Sequence, residues 1–189
     1  MNNSPSFLRS APINTVHSEN KQILAYATID SPLGTIIAVS DDSKLYFLDF
    51  SDRSLLQKKM RKLAIALHAH FVEDSTEPLR SIEKELKAYF AGTLEAFTTP
   101  IALIGTPFMI CVWQKLQTIP YGKTISYADL ATSIGKPTAC RAVANANGKN
   151  MLPIIIPCHR VINTGGGLGG YSSGIERKVW LLEHEKLNQ

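Results

Sequence analysis

The sequence predicts an α+β protein in two units, a small N-terminal α+β unit and a mainly helical C-terminal one. Two observations lead there. Residues 23–50 hold three short runs of strand-forming residues, whereas residues 106–186 hold helical runs punctuated by Gly and Pro. Charge divides along the same line. Residues 1–104 carry 11 Lys and Arg against 12 Asp and Glu, while residues 105–189 carry 9 against 4, a net charge of +5.

The elements follow in order. Residues 1–20 are polar, contain Pro5 and Pro12, and lack the apolar core of a signal peptide, so a flexible tail is expected. Ile23–Ile29 alternates apolar and polar residues, and Ser31-Pro32-Leu33-Gly34 reads as a turn. Thr35–Val39 and Lys44–Phe50 continue a strand meander. The spacing of Leu55, Leu56, Leu63, Leu67 and Phe71 predicts one long helix, and Ser81–Ala91 a second, stopped by Gly92. An α+β domain thus covers residues 21–95, a connection residues 96–105, and a second domain residues 106–189. In that second domain Pro107 suits the first turn of a helix reaching Thr118. Ser126–Ile134 and Pro137–Asn147 are short helices joined by Gly135-Lys136-Pro137. They fit a helix-turn-helix, or equally an αα-hairpin with no DNA role. Ile154–Ile156 reads as a short buried strand, and Ile175–Lys186 as the last helix.

Composition narrows the function. A hydrophobic share of 44% and a charged share of 19% suit a globular chain, and no apolar run approaches the length of a membrane span. Three cysteines, Cys111, Cys140 and Cys158, leave an odd number and no CxxC pair, against a disulfide framework or a cysteine-based zinc site. The basic second half suggests an anionic partner, nucleic acid first, or else an ordinary solvated surface. Gly165-x-Gly167-x-x-Gly170 formally matches a dinucleotide fingerprint but has no βαβ unit around it, so a flexible loop is expected. His68 and His70 read as surface histidines on a helix, and Lys58-Lys59-Met60-Arg61-Lys62 as a solvated face.

The most informative stretch is Pro153-Ile-Ile-Ile-Pro-Cys-His-Arg-Val-Ile162. A thiol is a good nucleophile only as thiolate, and nearby cations favour that form. His159 and Arg160 follow Cys158 directly. Adjacent side chains on a strand point to opposite faces, so direct contact between Cys158 and His159 calls for a turn at Pro157 or a bridging water.

Taken together, Gly105-Thr-Pro-Phe108, Ile119-Pro-Tyr-Gly122, Ile125-Ser-Tyr127, Arg141-Ala-Val143, Ile156-Pro-Cys-His-Arg-Val161, Gly170-Tyr-Ser172 and Leu181-Leu-Glu-His-Glu185 resemble, in order and spacing, the O6-alkylguanine-DNA alkyltransferases of bacterial type, also called methylated-DNA–protein-cysteine methyltransferases. The resemblance implies an N-terminal domain like ribonuclease H and a C-terminal winged helix-turn-helix domain. It implies transfer of the alkyl group from O6-alkylguanine, and from O4-alkylthymine, in double-stranded DNA to the protein's own Cys158, once per molecule and without cofactor. A cytoplasmic monomer is expected.

By the same resemblance His159 is the base acting through a water, Glu185 orients it, Tyr127 hydrogen-bonds the leaving base, and Asn150 ties the helix connection to the active segment. Arg141 fills the stack that the flipped nucleotide vacates. Thr138, Ala139 and Ala142 let the helix approach the groove closely, and Val161, Tyr171, Ser172 and Ser173 line the base pocket, with Ser173 restricting bulky adducts. No metal is expected, because the chain has no N-terminal cysteine to match the zinc ligands of some members. Met109 and Met151 depart from the family's usual Gln and Pro. Arg160 is left with an unspecified structural or electrostatic role. The competing readings are a cysteine hydrolase and a lesion sensor without catalysis, the latter opposed by the presence of Cys158.

Overall fold

The computed structural model describes residues 21–189. The expected tail, residues 1–20, lies outside them. Two compact units are present: residues up to Glu83 together with Thr99–Ala102, and Lys84–Thr98 together with Leu103–Gln189.

The first unit is a four-stranded sheet in the order β3-β2-β1-β4. β1 (Gln22–Ile29), β2 (Ile36–Ser40) and β3 (Leu45–Phe50) form the expected antiparallel meander, with Ala27 opposite Ala38 and Ala38 opposite Leu48. Every residue of β2 is buried, so this central strand is covered on both faces, and its first four residues, Ile36–Val39, read as a continuous apolar run. Ile101 bridges Leu45, so part of the expected connection joins the edge of this sheet.

The long helix predicted to reach Phe71 ends early. α1 (Leu56–Ala66) buries Leu56, Met60 and Leu63. His68 then takes a left-handed φ of 47°, and β4 (Ala69–Glu73) runs parallel to β1 with Phe71 opposite Leu24. No Gly or Pro marks the break, and the apolar spacing of Leu67 and Phe71 fits either element. His68 and His70 therefore sit in a turn and a strand, not on a helix. α2 (Glu77–Phe90) begins four residues earlier than predicted, and the division between the units falls inside it.

The second unit is built from α3 (Pro107–Leu116), α4 (Tyr127–Ser133), α5 (Cys140–Gly148) and α6 (Ile175–Leu187), with the second half of α2. Thr106 caps α3 by accepting from Met109 N, and Pro107 occupies the first turn. Ser126 and Asp129 form a capping box on α4. α3 and α4 both pack on α5. The Trp113 indole donates to Ala146 O (2.9 Å) and fixes that packing.

Two further predictions are corrected. α5 begins at Cys140, because Pro137 and Thr138 form a turn after Gly135, whose φ of 71° ends α4's extension. Ile154–Ile156 is a tight turn closed by a Pro153–Ile156 bridge, with Ile154 at φ 76°. The sheet of this unit is a two-stranded parallel pair between β5 (Ile125–Ser126) and β6 (Val161–Ile162). No helix among the described residues is long and apolar enough to cross a membrane.

Candidate active site

Cys158, His159 and Arg160 form a single 3-10 turn, all three buried, immediately before β6. The turn removes the difficulty that a strand would have posed, since successive side chains no longer point to opposite faces.

The segment before the turn is held by Asn150. Its Oδ1 accepts from Leu152 N (2.9 Å), and its amide donates to Ile156 O (2.8 Å) and to Cys158 Sγ (3.1 Å). A donor aimed at sulfur favours the thiolate over the thiol. Asn150→Ala is expected to raise the Cys158 pKa by roughly one to two units, the equivalent of a hydrogen bond to a charged group. Thiolate absorbance followed against pH reads this directly. Asn147, one turn earlier, donates to Cys158 O (3.2 Å).

Glu185 organises the other side of the turn. It is fully buried and accepts five hydrogen bonds: from Tyr89 Oη (2.8 Å), Gly122 N (3.1 Å), His159 Nε2 (2.8 Å), Arg160 Nε (2.9 Å) and Arg160 Nη2 (2.9 Å). Burial alone raises a carboxyl pKa, but His159 and Arg160 outweigh it and hold Glu185 ionised far below the usual range. Arg160 also donates to Ile119 O (2.6 Å) and lies over the Tyr121 ring.

Burial pushes the His159 pKa down, with Glu185 opposing. His159 is thus neutral, with its Nε2–H donating a hydrogen bond to the Glu185 carboxylate and its Nδ1 carrying a lone pair. That Nδ1 is buried without a hydrogen-bond partner. A neutral imidazole with a free lone pair can take a proton at Nδ1.

A cleft of about 570 Å³ opens on this unit, walled by Tyr127, Arg141, Asn147, Tyr171 and Ser172 among others. Tyr127 is 9% exposed. Burial, and then the Cys158 charge, raise its pKa, so the phenol stays protonated and can donate. Gly169, at φ 67°, lies so close to Tyr127 that a Cβ there would come within 3.1 Å of the ring, and only glycine suits this position. Cys158 itself is 1% exposed, and its carbonyl accepts from Asn147 of the cleft wall.

The structure therefore pairs Cys158 with Asn150 and His159 with Glu185 by direct hydrogen bonds on one turn, and puts Tyr127, Arg141, Tyr171 and Ser172 on the cleft. Arg141 and Ala142 are exposed on α5, Thr138 and Ala139 precede the helix, and Val161 and Ser173 are fully buried beneath the surface. Among the described residues no group of three His, Cys, Asp or Glu side chains is arranged to hold a metal.

Sequence reasoning missed Tyr89 and Lys178 and left Arg160 unassigned. Lys178 shared a signal with Glu185. Residues 178, 181 and 185 lie on one face of α6, and all are buried. A charged residue in line with Leu181 marks a buried polar group.

A sheet unit followed by a helical unit whose α4 and α5 pack together, with a buried thiol that accepts a hydrogen bond, fits a DNA-binding protein equipped for nucleophilic chemistry. The comparisons specify which one. Residues 24–103 match the ribonuclease-like domain, and residues 107–187 the DNA binding domain, of 6-O-methylguanine DNA methyltransferase. The chain belongs to the methylated-DNA–protein-cysteine methyltransferase family. A protein of that name from Methanosarcina barkeri is 44% identical over 163 residues, covering 86% of this chain and 98% of the relative. Its Mycobacterium tuberculosis namesake is 42% identical, covering 87% and 93%. The crystal structure of the M. tuberculosis O6-methylguanine methyltransferase matches with a TM-score of 0.76 at 40% identity, covering 88% of this chain and 94% of that one. The same organism's protein in complex with DNA matches at 0.75.

Proposed function

We propose that this chain is a single-use DNA repair protein that takes an alkyl group from O6-alkylguanine, or from O4-alkylthymine, onto Cys158. The observation that carries the reading is the Cys158 sulfur, which accepts the Asn150 amide on a turn whose next residue is a neutral histidine fixed by Glu185.

The chemistry is a displacement at carbon. The thiol proton passes through a water to Nδ1 of His159. The thiolate attacks the alkyl carbon on O6, a carbon–sulfur bond forms, and the carbon–oxygen bond breaks with its electron pair left on the base. The Tyr127 hydroxyl donates a hydrogen bond to the departing base, so that it leaves without full negative charge. Sulfur suits this step because a thiolate is a strong, soft nucleophile. The thioether is stable, so the protein is consumed.

The target base must leave the duplex, at a cost of a few kcal/mol. Arg141, exposed at the start of α5, takes the vacated place in the stack, with Thr138, Ala139 and Ala142 close to the groove. Tyr171 and Ser172 contact the base, with Val161 and Ser173 behind. Arg141→Ala is expected to slow transfer from duplex DNA by roughly tenfold to a hundredfold, if it removes one to three kcal/mol of that compensation. Reaction with the free base O6-benzylguanine should be unchanged. A parallel loss on the free base would assign Arg141 to the pocket instead.

The test of the function is incubation with duplex DNA containing O6-methylguanine, followed by mass spectrometry. One methyl on the Cys158 peptide, with one equivalent transferred per protein, is expected. Catalytic turnover, or no transfer, would sink the reading. One chain carries the whole site, which supports a monomer, and a cytoplasmic location goes with this reading.

A further inference from the structure

We propose that Lys178 is a positioning residue for alkyl transfer: its buried ammonium group ties the loop after the reactive turn in place and is the counter-charge against which the Cys158 thiolate forms. This rests on the reading of Cys158 as acceptor.

The side chain of Lys178 is fully buried on α6, the helix that packs against the 158–160 turn. Its Nζ donates to Val161 O at 2.6 Å and to Leu168 O. The first carbonyl stands at the end of the reactive turn, the second inside the Gly-rich loop, so one ammonium group spans both limbs of the segment that leads to Tyr171 and Ser172. No carboxylate pairs with it among the described residues. That is unusual, because an unpaired buried charge is expensive.

The titratable groups around it explain why the charge is retained. Cys158 and His159 stand on the turn against which α6 packs, three and two residues before the Val161 carbonyl that Lys178 holds. The negative form of Cys158 supports the lysine's charge, and the lysine helps to keep His159 neutral. Arg160, on the same turn, is already occupied by Glu185, so neither can serve the lysine. Burial pulls the Lys178 pKa down to about 8, with Cys158 opposing, and the group is still cationic at neutral pH. Asn150 supplies the sulfur with a hydrogen bond, whereas Lys178 supplies the opposite charge.

The test compares Lys178→Met, Lys178→Gln and Lys178→Arg with the parent. Thiolate absorbance, taken as the difference from each protein's Cys158→Ala counterpart, gives the Cys158 pKa. The neutral variants are expected to raise it by roughly one unit, the low end for loss of a neighbouring opposite charge. Transfer from O6-methylguanine DNA at pH 7 should then fall about tenfold and recover as pH rises. Arginine should keep the parent pKa. An unchanged Cys158 pKa in folded neutral variants, with only a lowered Tm, would reduce Lys178 to a structural clamp and overturn the proposal.

Coupling is reciprocal, so the lysine can also be read directly should the neutral variants not fold. In protein labelled with 13C at lysine Cε, the resonance displaced in Lys178→Arg is expected to titrate lower in Cys158→Ser than in the parent. Equal values would overturn the proposal as well. If the parent transfers no methyl at all, the functional reading fails, while both titrations still decide the role of Lys178.

Discussion

Glu185→Ala should lower the stability of the second unit by about 3–5 kcal/mol, the usual effect of removing one partner from a buried ion pair. Arg160 would be left as a buried cation, and Tyr89, Gly122 and His159 would lose their acceptor. Urea unfolding followed by Trp fluorescence measures the loss, since Trp113 is buried in this unit. A double variant, Glu185→Met with Arg160→Met, is expected to be milder than Glu185→Met alone, because no unpaired charge remains. If the double variant were the weaker of the two, the loss would come from packing rather than charge. Transfer should fall by roughly a hundredfold or more in either variant, as His159 loses its orientation.

The same network sets an acid limit. His159 titrates below its ordinary value of 6.5 in the fold, so its contribution to stability is complete above pH 6.5 and falls away as pH drops below it. Glu185 titrates below its ordinary 4.5, so its contribution is complete above pH 4.5 and is lost only as pH falls further. Stability should decline in two stages on acidification. A stability that rose between pH 6.5 and 5 would mean that His159 is charged in the folded protein.

The second large effect is on chemistry. Cys158→Ser should abolish methyl retention, a loss of at least ~10⁴-fold, because a serine hydroxyl is not ionised near neutral pH and the nearest base is a neutral histidine. The substitution is nearly isosteric, and the hydroxyl can still accept from Asn150, so DNA binding should remain within a few-fold of the parent. Gel-shift titration beside mass spectrometry separates the two. Methyl found on Cys140, which lines the cleft, would show that the sulfur at 158 is not the acceptor.

Much of this was legible in the residues because local signals agreed with the fold. Thr106-Pro107 and Ser126 mark helix starts, and the meander of residues 23–50 follows its own turns. The failures have local causes too. Leu67 and Phe71 fit a helix and a strand equally, and only pairing with β1, a contact remote in sequence, decides for β4. Pro137 suits a first helical turn, yet the chain turns once more before α5. Cys158, Asn150 and Glu185 were found through their motif neighbours. The part played by Arg160 was hidden because a bidentate pair with Glu185 spans 25 residues of sequence. Tyr89 was hidden more deeply still, since nothing local ties a helix tyrosine to a carboxylate 96 residues away.

That last contact bears on how the molecule can be divided. Tyr89 belongs to the second unit, although it precedes residues 107–187 in the chain. A fragment cut at the visible sequence boundary would carry the thiol, the histidine and the carboxylate, yet lack the phenol that fills one of the carboxylate's five contacts. The reactive half is thus not a portable cassette. Its natural seam runs through the middle of α2, and any graft onto another scaffold has to bring Lys84–Thr98 with it.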